Sequence, residues 1–277
     1  PDVRCGARRG GLIRVNANRI HSTSVVSATA ELADDAEIGP FSVIGDNVRI
    51  GAGTRVMAHV VIEGPTTIGE GNVIYPFVSL GQGPQDLKYG GEPTELVIGD
   101  RNNIREYSNF HRGTVGGGGV TRVGSDNLFM VATHIAHDCI VGDRIIMANQ
   151  ATLAGHVTVE DAATVGAASS VHQFTRVGKL AFIGGHSVIV KDPMPFSRCQ
   201  GNHAKCYGEN AIGLRRRGFD DDAVRRIHRT FRLLLASKLN TTQALEAIHG
   251  DESLMADENV AYLVAFIESS ERGVIKN

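Results

Sequence analysis

From Ile20 to Leu80 an aliphatic side chain stands at every sixth position: Ile20, Val26, Leu32, Ile38, Ile44, Ile50, Val56, Ile62, Ile68, Ile74 and Leu80. The period returns at Ile98, Ile104 and Phe110 and slips by one residue. It then holds from Val123 through Phe129, Ile135, Val141, Met147, Leu153, Val159, Val165, Val171, Val177 and Ile183 to Ile189. A helix places side chains on one face about every 3.6 residues and a strand every second residue, so neither element alone explains the spacing. A six-residue repeat with Gly after many of its aliphatics, as in Ile38-Gly39, Ile68-Gly69 and Val165-Gly166, predicts a left-handed parallel β-helix of hexapeptide repeats. Three hexads make one triangular coil, so residues eighteen apart lie one above another on strands about 4.8 Å apart.

The positions two before each aliphatic are small or β-branched: Ser42, Val48, Thr54, Cys139, Ala151, Ala163, Ser169, Thr175, Ala181 and Ser187. Such side chains fit a narrow prism beside the aliphatics, and the chain has no Trp. Gly and Asn at the corners are expected to supply the positive φ of tight turns.

A net charge of −2 over 277 residues gives no reason to expect a nucleic-acid partner, and no apolar run reaches the roughly 18 residues of a membrane span. Cys5, Cys139, Cys199 and Cys206 lack CxxC spacing and read as free thiols of a reducing compartment. Cys139 sits in a small-residue core slot and reads as structural.

Three regions follow. Residues 1–19 carry Arg4, Arg8, Arg9, Arg14 and Arg19 against the single acid Asp2, a leader read as a targeting remnant or a disordered extension. An organelle is therefore expected, mitochondrion before chloroplast, with a bacterial cytoplasm as the alternative. Residues 20–196 form the β-helix. Residues 197–277 form an α-helical domain. Its signals are Asp220, Asp221 and Asp222 ahead of the stripe Ile227, Phe231, Leu234 and Leu235, then a helix from Thr241 and another from Glu258.

Two segments break the repeat, and breaks in a solenoid form loops on its binding face. Gln82 to Val97 puts Asp86 and Glu92 where core aliphatics belong, so it leaves the prism. His111 to Arg122 contains four consecutive glycines and costs the one-residue slip; it reads as a flexible bulge.

In His134-Ile135-Ala136-His137-Asp138 the inward residue is Ile135, which puts His137 on the outer surface near a corner. The eighteen-residue offset stacks Gly155 and then Gln173 on it, with His156 and His172 beside them. A neutral imidazole suits general-base work near neutral pH, and Asp138 can orient it. A backbone N–H at Gly155, free of any side chain, can stabilise an oxyanion. A base and an oxyanion donor without a Ser or Cys nucleophile on that face point to direct acyl transfer onto a bound hydroxyl or amine. A zinc site needs three convergent imidazoles, whereas His134 and His137 point differently, so no metal is expected.

These residues carry a resemblance. His134-Ile-Ala-His137-Asp138, Ala154-Gly155-His156, Val171-His172-Gln173-Phe174, Gln200-Gly201-Asn202-His203-Ala204, Gln85-Asp86-Leu-Lys88-Tyr89-Gly and Gly213-Leu-Arg-Arg216-Arg217-Gly218-Phe219 resemble the acyl-carrier-protein-dependent UDP-N-acetylglucosamine O-acyltransferase family, which begins lipid A synthesis. The likeness runs from about Ile20 to the C-terminus. It implies transfer of a (3-hydroxy)acyl group to the glucosamine 3-hydroxyl, with His137 as general base and Gly155 as oxyanion donor. Gln85, Asp86, Lys88, His134, His156, His172 and Gln173 match residues around the sugar and acyl chain. Asn210, Arg216 and Arg217 match nucleotide and diphosphate contacts, for which a guanidinium offers two hydrogen bonds at once. Gly185 and His203 match positions that limit acyl length. Ile212 departs from the acidic residue that bacterial members commonly carry.

The resemblance further implies a homotrimer, acyl carrier protein and UDP-N-acetylglucosamine as partners, and no cofactor beyond the carrier's phosphopantetheine. Two other readings are the sister UDP-acylglucosamine N-acyltransferase, which has a separate N-terminal domain, and a γ-type carbonic anhydrase on the same prism.

Overall fold

A computed structural model describes residues 19–276. The leader over 1–18 and Cys5 lie outside the described residues. Two- to five-residue strands wind a left-handed parallel β-helix with three flat faces. The first face runs from Val25–Val26 to Val188–Ile189 and the second from Glu31–Leu32 to Arg176–Val177. The third begins at Glu37–Ile38. Register is parallel and in step, Val43 above Val25 and Val61 above Val43. Every aliphatic of the repeat from Ile38 to Ile189 is buried, and so are the small partners Ser42, Thr54, Ala151 and Ser169. Ile20, in the first described coil, is 41% exposed.

The corners differ from the sequence expectation. Among the described residues eighteen other than glycine have positive φ, including Phe41, His59, Phe77, Tyr107, Ala132, Asp138, His156 and Phe174. At most of these corners the intrinsic cost is offset by a repeated bond, in which the N–H of the corner residue donates to a corner carbonyl one coil below, as in His156 to His137 at 3.0 Å and Ala162 to Asp143 at 2.8 Å. Glycines after the aliphatics serve a different need. A Cβ on Gly39 would stand 2.7 Å from the Met57 backbone, and one on Gly51 2.6 Å from that of Gly69. Those glycines are required by coil-to-coil approach, and only a few corners, Gly53 and Gly71 among them, use glycine for φ.

Ser197–Gly201 and Ala204–Glu209 form an antiparallel hairpin that extends the third face, with Ser197–Gly201 parallel to Phe182–Ile183. Cys199 and Cys206 face each other across it, both buried and free. Burial pushes the Cys139 thiol up to about 12.

Helices follow: α1 (Ala211–Arg216), α2 (Asp221–Phe231), α3 (Thr241–His249), α4 (Glu252–Met255) and α5 (Glu258–Glu268). Asp220 caps α2 through the Ala223 N–H at 2.7 Å, and Asn240 with Gln243 makes a capping box on α3. The stripe Val224, Ile227, Phe231 and Leu234 packs into one core with Leu263 and Ile267. Arg176 ties this unit to the prism, donating to the Phe266 carbonyl at 2.7 Å while lying 3.9 Å over the Phe266 ring. Among the described residues no helix is long and apolar enough to cross a membrane.

Candidate active site

Both breaks in the repeat emerge at the corner between the first and second faces. Ser79 pairs with Asn109 and Asn109 with His134, so each insertion is looped out while the coils above and below stay in register. His137 stands at the same corner one coil above the second insertion. Its Nδ1 lies 2.7 Å from Oδ2 of Asp138, and its side chain is 15% exposed.

Asp138 is buried. Its Oδ1 accepts the Thr114 N–H at 2.7 Å, and its Oδ2 accepts the Thr114 hydroxyl at 2.6 Å. With both oxygens acting as acceptors, the proton shared with His137 belongs to Nδ1, and Nε2 keeps its lone pair. Gly155 lies directly above. A Cβ there would be 2.6 Å from Cε1 and 2.8 Å from Nε2 of His137, so only glycine lets the imidazole rest against this backbone. Among the described residues no group accepts the Gly155 N–H, although both neighbouring N–H groups are bonded across coils. A basic nitrogen and a free amide therefore meet at one point.

His156 completes this cluster. Its ring sits edge-on to His137 at 5.2 Å and stacks on Phe174 at 4.5 Å, and its Nε2 is 3.6 Å from Asp138 Oδ2. His134 lies on the first face below, hydrogen-bonded through Nδ1 to Asn109 and edge-on to buried His111 at 5.0 Å. Burial, then repulsion from His134 and His137, pushes His111 down to about 4, and burial likewise lowers His134. Charging of His111 and His134 is thus disfavoured, which limits positive charge near the base.

The structure does not gather every expected residue. His172 and Gln173 are exposed on the coil above His156. Gln85, Asp86 and Lys88 lie on the first insertion at the same corner, with Asp86 folded back to accept the Lys88 N–H at 3.0 Å. That insertion is anchored by Arg112, which donates to the Tyr89 hydroxyl at 3.1 Å and to the Gly64 carbonyl. Gly185 lies at another corner, between Phe182–Ile183 and Val188–Ile189. His203, at the hairpin tip, lines a cavity of about 950 Å³ with Lys191, Lys205, Ile267 and Val274. Arg216 and Arg217 are exposed at the end of α1. The Asn210 side chain caps that helix through the Gly213 N–H and donates to the Leu180 carbonyl, both at 3.1 Å.

The segment His111 to Arg122 is not the flexible bulge expected from the sequence. It contains a turn, Val115–Gly117, capped by Thr114, and packs on Asp138. Thr114, Thr121, Asn109 and His111 also support the site, and no motif in the sequence marks them. The only signal for them was the slip itself, which marks an insertion but not what it touches.

His137, Asp138 and His156 are the one set of three ligating side chains among the described residues whose ligand atoms lie within 4.8 Å of one another. His137 holds Asp138 by a direct hydrogen bond while His156 stays 3.6 Å from the same oxygen, and the third imidazole that a zinc trio requires, His134, is turned to Asn109.

A hexapeptide β-helix with an acid-oriented imidazole against a bare backbone amide defines a hexapeptide-repeat transferase. The comparisons agree: residues 47–82 match the model described as "Bacterial transferase hexapeptide (six repeats)" and residues 192–275 that described as "Udp N-acetylglucosamine O-acyltransferase; Domain 2". The acyl-[acyl-carrier-protein]–UDP-N-acetylglucosamine O-acyltransferase of Thermodesulfovibrio yellowstonii is 46% identical over 94% of this chain and 100% of its own length. The crystal structure of the UDP-N-acetylglucosamine O-acyltransferase of Moraxella catarrhalis is 42% identical, with a TM-score of 0.89 over 93% of this chain and 100% of that one. The Arabidopsis UDP-N-acetylglucosamine acyltransferase is 33% identical, with a TM-score of 0.83 over 93% and 100%. The chain belongs to the UDP-N-acetylglucosamine O-acyltransferase family, and it is an acyltransferase.

Proposed function

We propose that the chain transfers an acyl group from the phosphopantetheine thioester of acyl carrier protein to the glucosamine 3-hydroxyl of UDP-N-acetylglucosamine, opening lipid A synthesis. The observation that carries the mechanism is the pairing of His137 with Asp138 at 2.7 Å, which leaves Nε2 basic beside the Gly155 amide. Nε2 removes the hydroxyl proton as the oxygen attacks the thioester carbonyl, and the Gly155 N–H receives the developing oxyanion. Collapse expels the thiolate, which takes the proton back from the imidazolium. Ester and free thiol are the products, and the imidazole ends as it began.

His137 lies on an outer wall, so a cleft needs a second wall. A homotrimer about a threefold axis supplies one, and the exposed loop holding Asp86 and Lys88 is suited to face a neighbour's site. Arg216 and Arg217 are proposed to hold the diphosphate. Mass spectrometry of products from UDP-N-acetylglucosamine and a panel of hydroxyacyl carrier proteins tests the reaction, and absence of an O-acylated nucleotide sugar with every donor refutes it. Sedimentation giving only a monomer would remove the shared cleft.

Gly185 and His203 are proposed to bound the acyl chain. A Cβ on Gly185 would be 3.2 Å from the Ala167 carbonyl, so a side chain there fits only with adjustment and projects from the corner. Gly185→Met is expected to favour shorter donors. Selectivity between chains differing by about four carbons should shift about 100-fold, at about 0.8 kcal/mol per methylene. Equal loss with every donor together with a lowered Tm would mean that Gly185 serves the corner alone.

The bacterial relatives support a bacterial cytoplasm, the second of the two compartments expected from the sequence, over a mitochondrion. Import of a fluorescent fusion carrying residues 1–19 into mitochondria would reverse that choice.

A further inference from the structure

We infer that the segment Thr114 to Gly119 is a strap that fixes the carboxylate behind the base, and that Thr114 is a positioning residue for acyl transfer. The inference rests on the reading of His137 as base, and its test below separates the two.

Thr114 grips both oxygens of Asp138, its N–H on Oδ1 at 2.7 Å and its hydroxyl on Oδ2 at 2.6 Å. The Asp138 N–H donates in turn to Thr121 Oγ at 2.8 Å, so both ends of the insertion hold the same residue. The strap closes on itself: the Thr114 carbonyl accepts the N–H of Gly117 at 3.0 Å and of Gly119 at 2.8 Å. Its glycines have separate tasks. A Cβ on Gly117 would fall inside the Asp138 carboxylate, while Gly118 and Gly119 have φ of 95° and 82°, where other residues are strained. One glycine of the run thus fits closely against the acid, and its neighbours turn the chain. The one-residue slip in the repeat is what carries it there.

Two imidazoles compete for one oxygen of that acid. Oδ2 is 2.7 Å from His137 Nδ1 and 3.6 Å from His156 Nε2. A carboxylate rotates about a soft torsion, and rotation would transfer the contact to His156. His137 would then be free to carry its proton on Nε2, where it cannot act as base. Donors on both oxygens prevent that rotation. The strap therefore selects which histidine receives the acid, and with it which nitrogen is basic.

Thr114→Val keeps shape and removes the hydroxyl. It should lower kcat about 10- to 100-fold with little change in KM for either substrate, the expected scale for losing a hydrogen bond to a charged group. Thr114→Ser should restore most of the rate, and Gly117→Ala should reproduce the loss. In an Asp138→Asn background Thr114→Val should add nothing, because a residue acting through Asp138 has nothing left to position. The downfield proton resonance of the His137–Asp138 hydrogen bond should be present in the wild type and in Thr114→Ser but lost in Thr114→Val. That signal tests the strap even if His137→Ala were to show that another group is the base. A Thr114→Val enzyme with the resonance intact, or losses that multiply with Asp138→Asn, would overturn the assignment. If Thr114→Val failed to fold, Thr114→Ala against Thr114→Ser reads the same difference.

Discussion

Replacing His137 with alanine is expected to lower acyl-transfer turnover about 10²- to 10⁴-fold, the usual cost of removing a general base. Folding should survive. The side chain is on the outer surface at a corner, and the buried acid behind it keeps both Thr114 bonds when the imidazole is gone. Substrate binding should change little, because the loop at Asp86 and the arginines of α1 are untouched, so the loss should appear in kcat rather than KM. Steady-state kinetics beside a thermal melt checks both parts. A variant keeping more than about a third of the wild-type rate, against a base's expected contribution, would remove His137 from that role.

The residues that made this prediction available were legible in the chain because they obey its period. Ile135 faces inward at 0% exposure, which forces His137 to the corner, and the eighteen-residue offset lays Gly155 on it. The helices of the C-terminal part were legible where an N-cap precedes an apolar stripe, as at Asp220. Elsewhere local signal fails for physical reasons. The left-handed corners at Phe41, Ala132 and Leu180 carry no propensity for that backbone; N–H bonds donated to the coil below impose it. The hairpin from Ser197 has neither the six-residue period nor a helical one, and its pairing with Phe182–Ile183 is a tertiary contact. Four glycines read the same whether all hang in solvent or one of them, Gly117, presses on Asp138. Only the fold, by bringing Thr114 to a residue 24 positions away, decides between these.

Gly155→Ala should cost about 10²-fold in kcat, since displacing a reacting group by about an ångström carries a penalty of that order. Its backbone is not in the left-handed region, so alanine is tolerated conformationally. The three atoms nearest the added methyl all belong to the His137 ring, Cε1 at 2.6 Å and Nε2 at 2.8 Å foremost. Either response is harmful. If the imidazole tilts away, it strains the 2.7 Å contact with Asp138 and crowds the edge-on His156 ring; if the coils part, the amide withdraws from the oxyanion. Gly39→Ala provides the contrast, because its methyl would stand 2.7 Å from the Met57 backbone, which cannot turn aside as a side chain can. That variant should lose stability, with a lower Tm and unchanged kcat for the folded fraction. Gly155→Ala should show the opposite, a near-normal melt with slow turnover and little change in KM. A Gly155→Ala enzyme with turnover within about threefold of wild type, well short of the displacement penalty, would show that the base and this amide do not act at one point.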